Sequence, residues 1–232
     1  MMRSVWILVS VIMCSPLYAQ LPQTIQIDFA KKTCEQKREE TTVGTFYFQT
    51  PHTLFTVINK PINQWLIYKD NNIVIYYPDD KKALVFYGRS PAIMPSFQAF
   101  LGAMKEDYGL SDMGYTLHAH DVRKDTLVTY WHPPEGLPQD MGEFILTYVG
   151  RRLIKVESKN KDDIIKSISI YSGHYEFSGY YFPLEISTQR YNMTDTTFEQ
   201  ITYSNPIFDH ELPENIRNFR LPAETKIEEI EW

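Results

Sequence analysis

Across 232 residues the chain carries 23 basic and 29 acidic side chains, a formal net charge of −6, with no cluster of lysine and arginine interleaved with aromatics. A net acidic chain repels phosphate backbones, which excludes the nucleic-acid-binding class. Hydrophobic residues make up 43% of the chain and aromatics 14%, including 16 tyrosines and 13 phenylalanines, a supply rich in strand formers and in side chains suited to half-wet, half-greasy surfaces.

The chain opens with an export pattern. Arg3 supplies a positive start, Val5 to Cys14 is almost unbroken in apolar character, Ser15 and Pro16 interrupt it, and Leu17-Tyr18-Ala19 places a small residue where signal peptidase cuts. An apolar run this short cannot cross a hydrocarbon layer of about 30 Å as a helix, so residues 1–19 are expected to be a cleaved signal peptide. Residues 20–232 then form a single periplasmic domain. Met13 is too bulky before Cys14 for lipidation there, and Cys14 leaves with the leader. The mature chain keeps only Cys34, so its stability is expected to come from core burial and not from a disulfide. Cys34 lies near Lys31, Lys32 and Lys37, but no histidine is placed in sequence to serve it as a base.

Strand signals follow one another in chain order. Ile25 to Phe29 alternates apolar and polar, the period of a half-buried strand. Lys37 to Glu40 reads as a solvated stretch, and Thr45 to Gln49 resumes as a strand with Phe46 and Phe48 on one face. Leu54 to Ile58, Gln64 to Tyr68, Ile73 to Tyr77 and Ala83 to Tyr87 come next. They are separated by Pro51-His52, Pro61, Asp70-Asn71-Asn72 and Pro78-Asp79-Asp80, and Asn and Asp tolerate the backbone that tight turns need. Strands at this spacing read as an antiparallel meander.

The period changes once. Phe97, Phe100, Leu101, Met104 and Tyr108 recur at helical spacing, with Ser96 as N-cap and Gly109 as the stop. Pro91 and Pro95 precede this helix, and Met94, Met104 and Met113 surround it with adaptable apolar surface. The pattern alone fits equally a helix packed on a sheet and a lid over one. Strands then return at Leu127 to Trp131, Glu143 to Val149, Leu153 to Glu157, Ile164 to Tyr171, Tyr175 to Phe182, Leu184 to Tyr191 and Phe198 to Tyr203. The acidic segment from Leu212 reads as a peripheral strand or tail. The fold class expected is mainly β: a strongly curved antiparallel sheet, or unclosed barrel, with a helical lid.

No catalytic constellation emerges. His118-x-His120 lies on a strand-like stretch that would turn both rings to one side, but no third ligand is evident on a neighbouring strand, and zinc usually takes three or four. His132 and His52 sit in a loop and a turn. There is no G-x-S-x-G, the serines have no acid–base company, and 10 glycines in all form no phosphate loop. No enzymatic role, no cofactor and no metal are expected.

One run of segments resembles a known family. Gly44-Thr-Phe46-Tyr-Phe48-Gln-Thr-Pro51, Asn59-Lys-Pro61 with Gln64-Trp-Leu-Ile67, and Asp70-Asn-Asn with Ile75-Tyr76-Tyr-Pro78-Asp79 resemble the periplasmic lipoprotein carriers of the LolA type. The likeness runs over roughly residues 24 to 205 and is specific in 44 to 87. It implies an unclosed, bent sheet whose greasy concave face, covered by helices, shields acyl chains of lipoproteins on the way to the outer membrane. The implied partners are those acyl chains or other lipids, an inner-membrane releasing complex and an outer-membrane acceptor, with the carrier acting as a monomer. Two departures stand out. The family's latch arginine before the proline is Thr50 here, and its first helix is missing, which implies a smaller cover centred on Phe97 to Tyr108 and a cargo that could be a free lipid, glycolipid or pigment.

The candidate lining is therefore Phe46, Phe48, Leu54, Trp65, Ile67 and Ile75 from the sheet and Phe97, Phe100, Leu101 and Met104 from the helix. Hiding an acyl chain gains about 0.8 kcal/mol per buried CH₂. An envelope binding or scaffold protein with a filled β core is the competing reading, and a lipid hydrolase would need a nucleophile and base that are not evident. Where both faces of a sheet are greasy, residue parity cannot tell which side is concave.

Overall fold

A computed structural model describes residues 22–36, 38–49, 53–69, 72–87, 102–103, 105–139, 141–192 and 195–230. The leader and most of the expected helix, including Phe97, Phe100, Leu101 and Met104, lie outside the described residues.

Among the described residues, 14 strands form one sheet. The N-terminal wing is a meander of β1 (Thr24–Glu35), β2 (Arg38–Gln49), β3 (Thr53–Lys60), β4 (Gln64–Lys69), β5 (Asn72–Tyr77) and β6 (Lys82–Phe86). The second wing holds β7 (Thr116–Arg123), β8 (Thr126–His132), β9 (Phe144–Val149), β10 (Arg152–Lys159), β11 (Ile165–Ser172), β14 (Glu185–Tyr191) and β15 (Thr196–Phe208). A small hairpin of β12 (Tyr175–Phe177) and β13 (Tyr180–Phe182) stands apart from the sheet. Pairing of β15 with β1 joins the wings. The last strand, β16 (Lys226–Ile230), runs parallel to β6. The order β16-β6-β5-β4-β3-β2-β1-β15-β14-β11-β10-β9-β8-β7 leaves β16 and β7 as two separate edges, so the curved sheet is not closed into a barrel.

Register shifts interrupt the ladders at Gln26/Asp28, Val43/Gly44, Leu117/Ala119, Leu153/Lys155 and Ser158/Lys159. Such bulges bend a strand and increase its twist, which is how a sheet this wide curls instead of lying flat. Gly44 sits at one of them. A Cβ there would come within 2.2 Å of the Val57 carbonyl oxygen and 2.9 Å of the Phe29 ring, so only glycine allows β2 to lie this close to β3.

Three expectations need correction. Arg38 to Glu40 is exposed but belongs to β2, paired with Glu35, Cys34 and Thr33 of β1; charged side chains can point to water while their backbone completes a ladder. Tyr175 to Phe182, expected as one strand, is the β12–β13 hairpin turned at Ser178 and Gly179, whereas the segment from Leu212 does supply a peripheral strand, β16, after a short helix, Glu214–Arg217. The helix expected to reach Tyr108 does not: Gly102 and Ala103 are helical, whereas 105–110 is bends and turns. Tyr108 and Gly109 have φ of 57° and 76°, the left-handed region that a right-handed helix cannot contain.

Candidate functional site

Antiparallel partners share a face, so register assigns each side chain to one side of the sheet. One face carries the row Ile25, Phe48, Leu54, Tyr68, Ile73 and Phe86, and beside it the row Ile27, Phe46, Thr56, Leu66, Ile75 and Leu84. Phe29, Tyr203, Ile201, Ile186, Tyr171, Val156, Leu146 and Trp131 continue the face across β1 and the second wing. Strands β1 to β4, β8 to β11, β14 and β15 feed one hydrophobic cluster, which also takes in Phe182 of the β12–β13 hairpin and Ala103, Leu110 and Tyr115 from the segment between the wings. The segment covers this face, making it the inner one. Phe29 stacks on Phe46 with centroids 4.3 Å apart, and Phe46 meets Tyr203 at 6.2 Å.

The covering segment is anchored by tyrosines. Tyr148 Oη donates to the Glu106 carbonyl at 2.9 Å, and Tyr171 Oη donates to Tyr108 Oη at 2.9 Å. Burial pushes the phenols of Tyr108, Tyr148, Tyr171 and Tyr203 above their ordinary range, so all four stay neutral at physiological pH. Asp107 closes the turn by accepting the N–H groups of Gly109 and Ser111 at 2.8 and 3.2 Å. Burial raises its pKa, but these bonds outweigh burial and hold the carboxyl below its usual range.

Toward β14 and β15 the same face turns polar. Glu199 is 8% exposed and lies 3.5 Å from Lys31 Nζ and 3.6 Å from an Arg190 guanidinium nitrogen. Ser169 and Thr188 share a hydrogen bond of 2.9 Å nearby. The arrangement is an apolar surface with a charged border.

The candidate lining residues divide. Phe46, Phe48 and Leu54 lie on the inner face, and register puts Ile75 there as well. Trp65 and Ile67 do not join them. They point to the outer face, in a second cluster with Phe55, Leu212 and Ile216, where Trp65 and Phe219 rings meet at 4.9 Å. Phe97, Phe100, Leu101 and Met104 lie outside the described residues. Sequence reasoning omitted Ile25, Ile27 and Phe29 of β1 and Ile201 and Tyr203 of β15, all buried on the inner face. The alternation in both strands was available as a signal.

The histidine pair is also rearranged. The bulge in β7 sets Leu117 opposite Trp131 and Ala119 opposite Tyr130, so His120 faces the side of Thr129. His118 instead stacks on His132 on the other side, with centroids 3.8 Å apart. Cys34 is exposed, in an outer-face groove of about 420 Å³ with Lys32, Ile168, Ile170 and Phe198.

No family model and no curated protein matches the chain. Solved structures do. A DUF1329 family protein from Desulfovibrio piger superposes with a TM-score of 0.60 at 13% identity, over 85% of this chain and 90% of that one. A LolA superfamily protein from Nitrosomonas europaea gives 0.59 at 15% identity, over 85% and 91%. A putative outer membrane lipoprotein-sorting protein domain from Vibrio parahaemolyticus gives 0.59 at 9% identity, over 83% and 88%. The backbone architecture thus superposes on chains with little sequence in common, and the protein has the LolA-like fold.

Proposed function

We propose that this protein is a periplasmic carrier that holds acyl chains of lipoproteins or other lipids against the inner face of its sheet and shuttles them toward the outer membrane. The observation that carries the reading is the inner face itself: among the described residues one apolar cluster spans both wings and is covered by the segment between them and by the small β12–β13 hairpin, neither of which is laddered to the main sheet. A cover of that kind can be displaced without breaking a ladder. The superposition on a LolA superfamily protein and on a domain named as a putative outer membrane lipoprotein-sorting protein supports the same reading. Export by removal of residues 1–19, one mature domain over 20–232, and exchange with an inner-membrane releasing complex and an outer-membrane acceptor belong to it. The function is binding and transport, without chemistry on the cargo.

Anchoring of the segment at Glu106 and Tyr108 limits where movement occurs. Leu110 is fully buried and Tyr115 is 3% exposed, so this half acts as a fixed foot. In this reading Phe97, Phe100, Leu101 and Met104 meet cargo alongside Phe46, Phe48, Leu54 and Ile75. The same tight foot is what a non-enzymatic scaffold protein with a filled core would have.

Mass spectrometry of organic extracts from gently purified protein, paired with a fluorescent acyl probe, separates the two. The carrier reading expects co-purifying lipid. It also expects Leu101→Asp to fold with a melting temperature near that of wild type and to lose the probe, while Trp65→Ala keeps it. An extract free of lipid together with no probe binding by the wild type establishes the scaffold. Unfolding of Leu101→Asp, which would bury an unpaired charge, places that residue in a packed core.

A further inference from the structure

We propose that His118, His132 and Glu143 form a binding site for a divalent first-row metal ion, zinc foremost, on the outer face of the sheet at its β7 edge. Adjacent strands β7 and β8 and the residue leading into β9 supply it. The β7 bulge swings His118 over β8, where its ring lies 3.8 Å from that of His132 at an interplanar angle of 23°. Glu143 immediately precedes β9 and follows the same row, since Phe144 pairs with Trp131 one position further along. The ligand atoms of all three lie within 4.8 Å of one another.

Two imidazoles and a carboxylate are a donor set zinc accepts, with a further position open to water or to another ligand. Bonds of about 2.0–2.2 Å require donors somewhat closer together than 4.8 Å. Both imidazoles are exposed, so rotation of their rings can close that gap without disturbing packing. Lys159 Nζ donates to Glu143 Oε2 at 3.0 Å and lies 3.7 Å from Asp163. It thereby holds the carboxylate by one oxygen and leaves the other outside that bond, the role that outer partners play around metal ligands. Its positive charge also opposes a cation, which sets the expectation at micromolar binding instead of a tight structural site.

The position gives such an ion a mechanical consequence. Every residue of β7 is exposed, so this edge strand is held by its ladder to β8 and by little packing. Tyr115, the last anchored residue of the covering segment, leads directly into Thr116 at the start of β7. An ion bridging His118, His132 and Glu143 fastens β7 to β8 and β9 just beyond the foot of the cover. This chemistry requires no lipid and stands whether or not the inner face carries one.

Calorimetric titration of the leader-free, tag-free chain with Zn²⁺ tests the site, with Co²⁺ as a spectroscopic probe. The expected result is saturable uptake of one ion. His118→Ala and His132→Ala should each weaken it by at least about tenfold and abolish the visible cobalt bands, while His120→Ala binds as wild type. All three side chains are exposed, so circular dichroism should register no loss of fold. Saturation with Zn²⁺ should also slow amide exchange in Thr116–Arg123. No saturable uptake by the wild type, uptake unaffected by both His118→Ala and His132→Ala, or uptake lost in His120→Ala would each overturn the proposal.

Discussion

Strands β3 to β5 and strands β14 and β15 belong to one sheet but live in different surroundings. In β3, Leu54, Phe55 and Thr56 are buried in succession, because the inner cluster takes Leu54 and the outer cluster takes Phe55. In β15 buried and exposed residues alternate from Thr197 to Tyr203. The difference comes from a segment far away in sequence. Leu212, Ile216 and Phe219 fold back over the outer face of β3 to β5, whereas Phe198 and Ile170 on the outer face of the second wing remain 52% and 44% exposed. A strand with one wet face declares its orientation in its pattern; a strand covered on both sides does not.

The two clusters should respond differently to truncation. Phe46→Ala removes a ring stacked on Phe29 and tilted against Tyr203 on the inner face, and is expected to cost about 3–5 kcal/mol in urea unfolding. A loss below about 1 kcal/mol would mean that the inner face relaxes around the gap and that its contacts are loose.

Trp65→Ala acts on the outer cluster. Trp65 is half-buried, so about 2 kcal/mol is expected, together with faster proteolysis within 212–230 as Phe219 of that segment loses the ring it packs on. Unchanged proteolysis would show that the parallel pairing of β16 with β6 holds the segment without the cluster.

Asp107→Asn tests the foot of the cover. The folded Asp107 carboxyl sits below its ordinary value of 3.8, so the unfolded chain binds the proton more tightly. The stabilisation is full above the unfolded pKa and is lost as pH falls through the folded one. Replacement by asparagine should cost about 1 kcal/mol at neutral pH and flatten the loss of stability below pH of about 4. A variant whose acid profile overlays wild type assigns that profile to other carboxyls.

Ile170→Thr should have the smallest effect, within about 0.5 kcal/mol, because its side chain faces water on the outer side of β11. A larger loss would mean that something covers this face in solution and would erase the contrast between the wings.

Much of the architecture was legible from residues alone. The meander β1 to β6 and the strands β8 to β11, β14 and β15 could be read because turn residues punctuate them and side chains alternate, both local properties of the chain. The seating of Phe46, Phe48 and Leu54 on a common face follows from the same period once register is known. Local pattern could not place Trp65 and Ile67, since the apolar side chains of β4 are consistent with either face until Phe219 and Ile216 arrive from the C-terminus. Nor could it foresee the β7 bulge, which parts His118 from His120 and brings in His132 and Glu143. The single residue that shifts the register is indistinguishable from its neighbours in composition. Sequence by itself determined the strands, their order along the chain and the class of fold, because period and turn chemistry act over a few residues. Only the tertiary structure decided which face is inner, where the cover is anchored and which distant side chains meet, because those depend on contacts between segments that no local preference encodes.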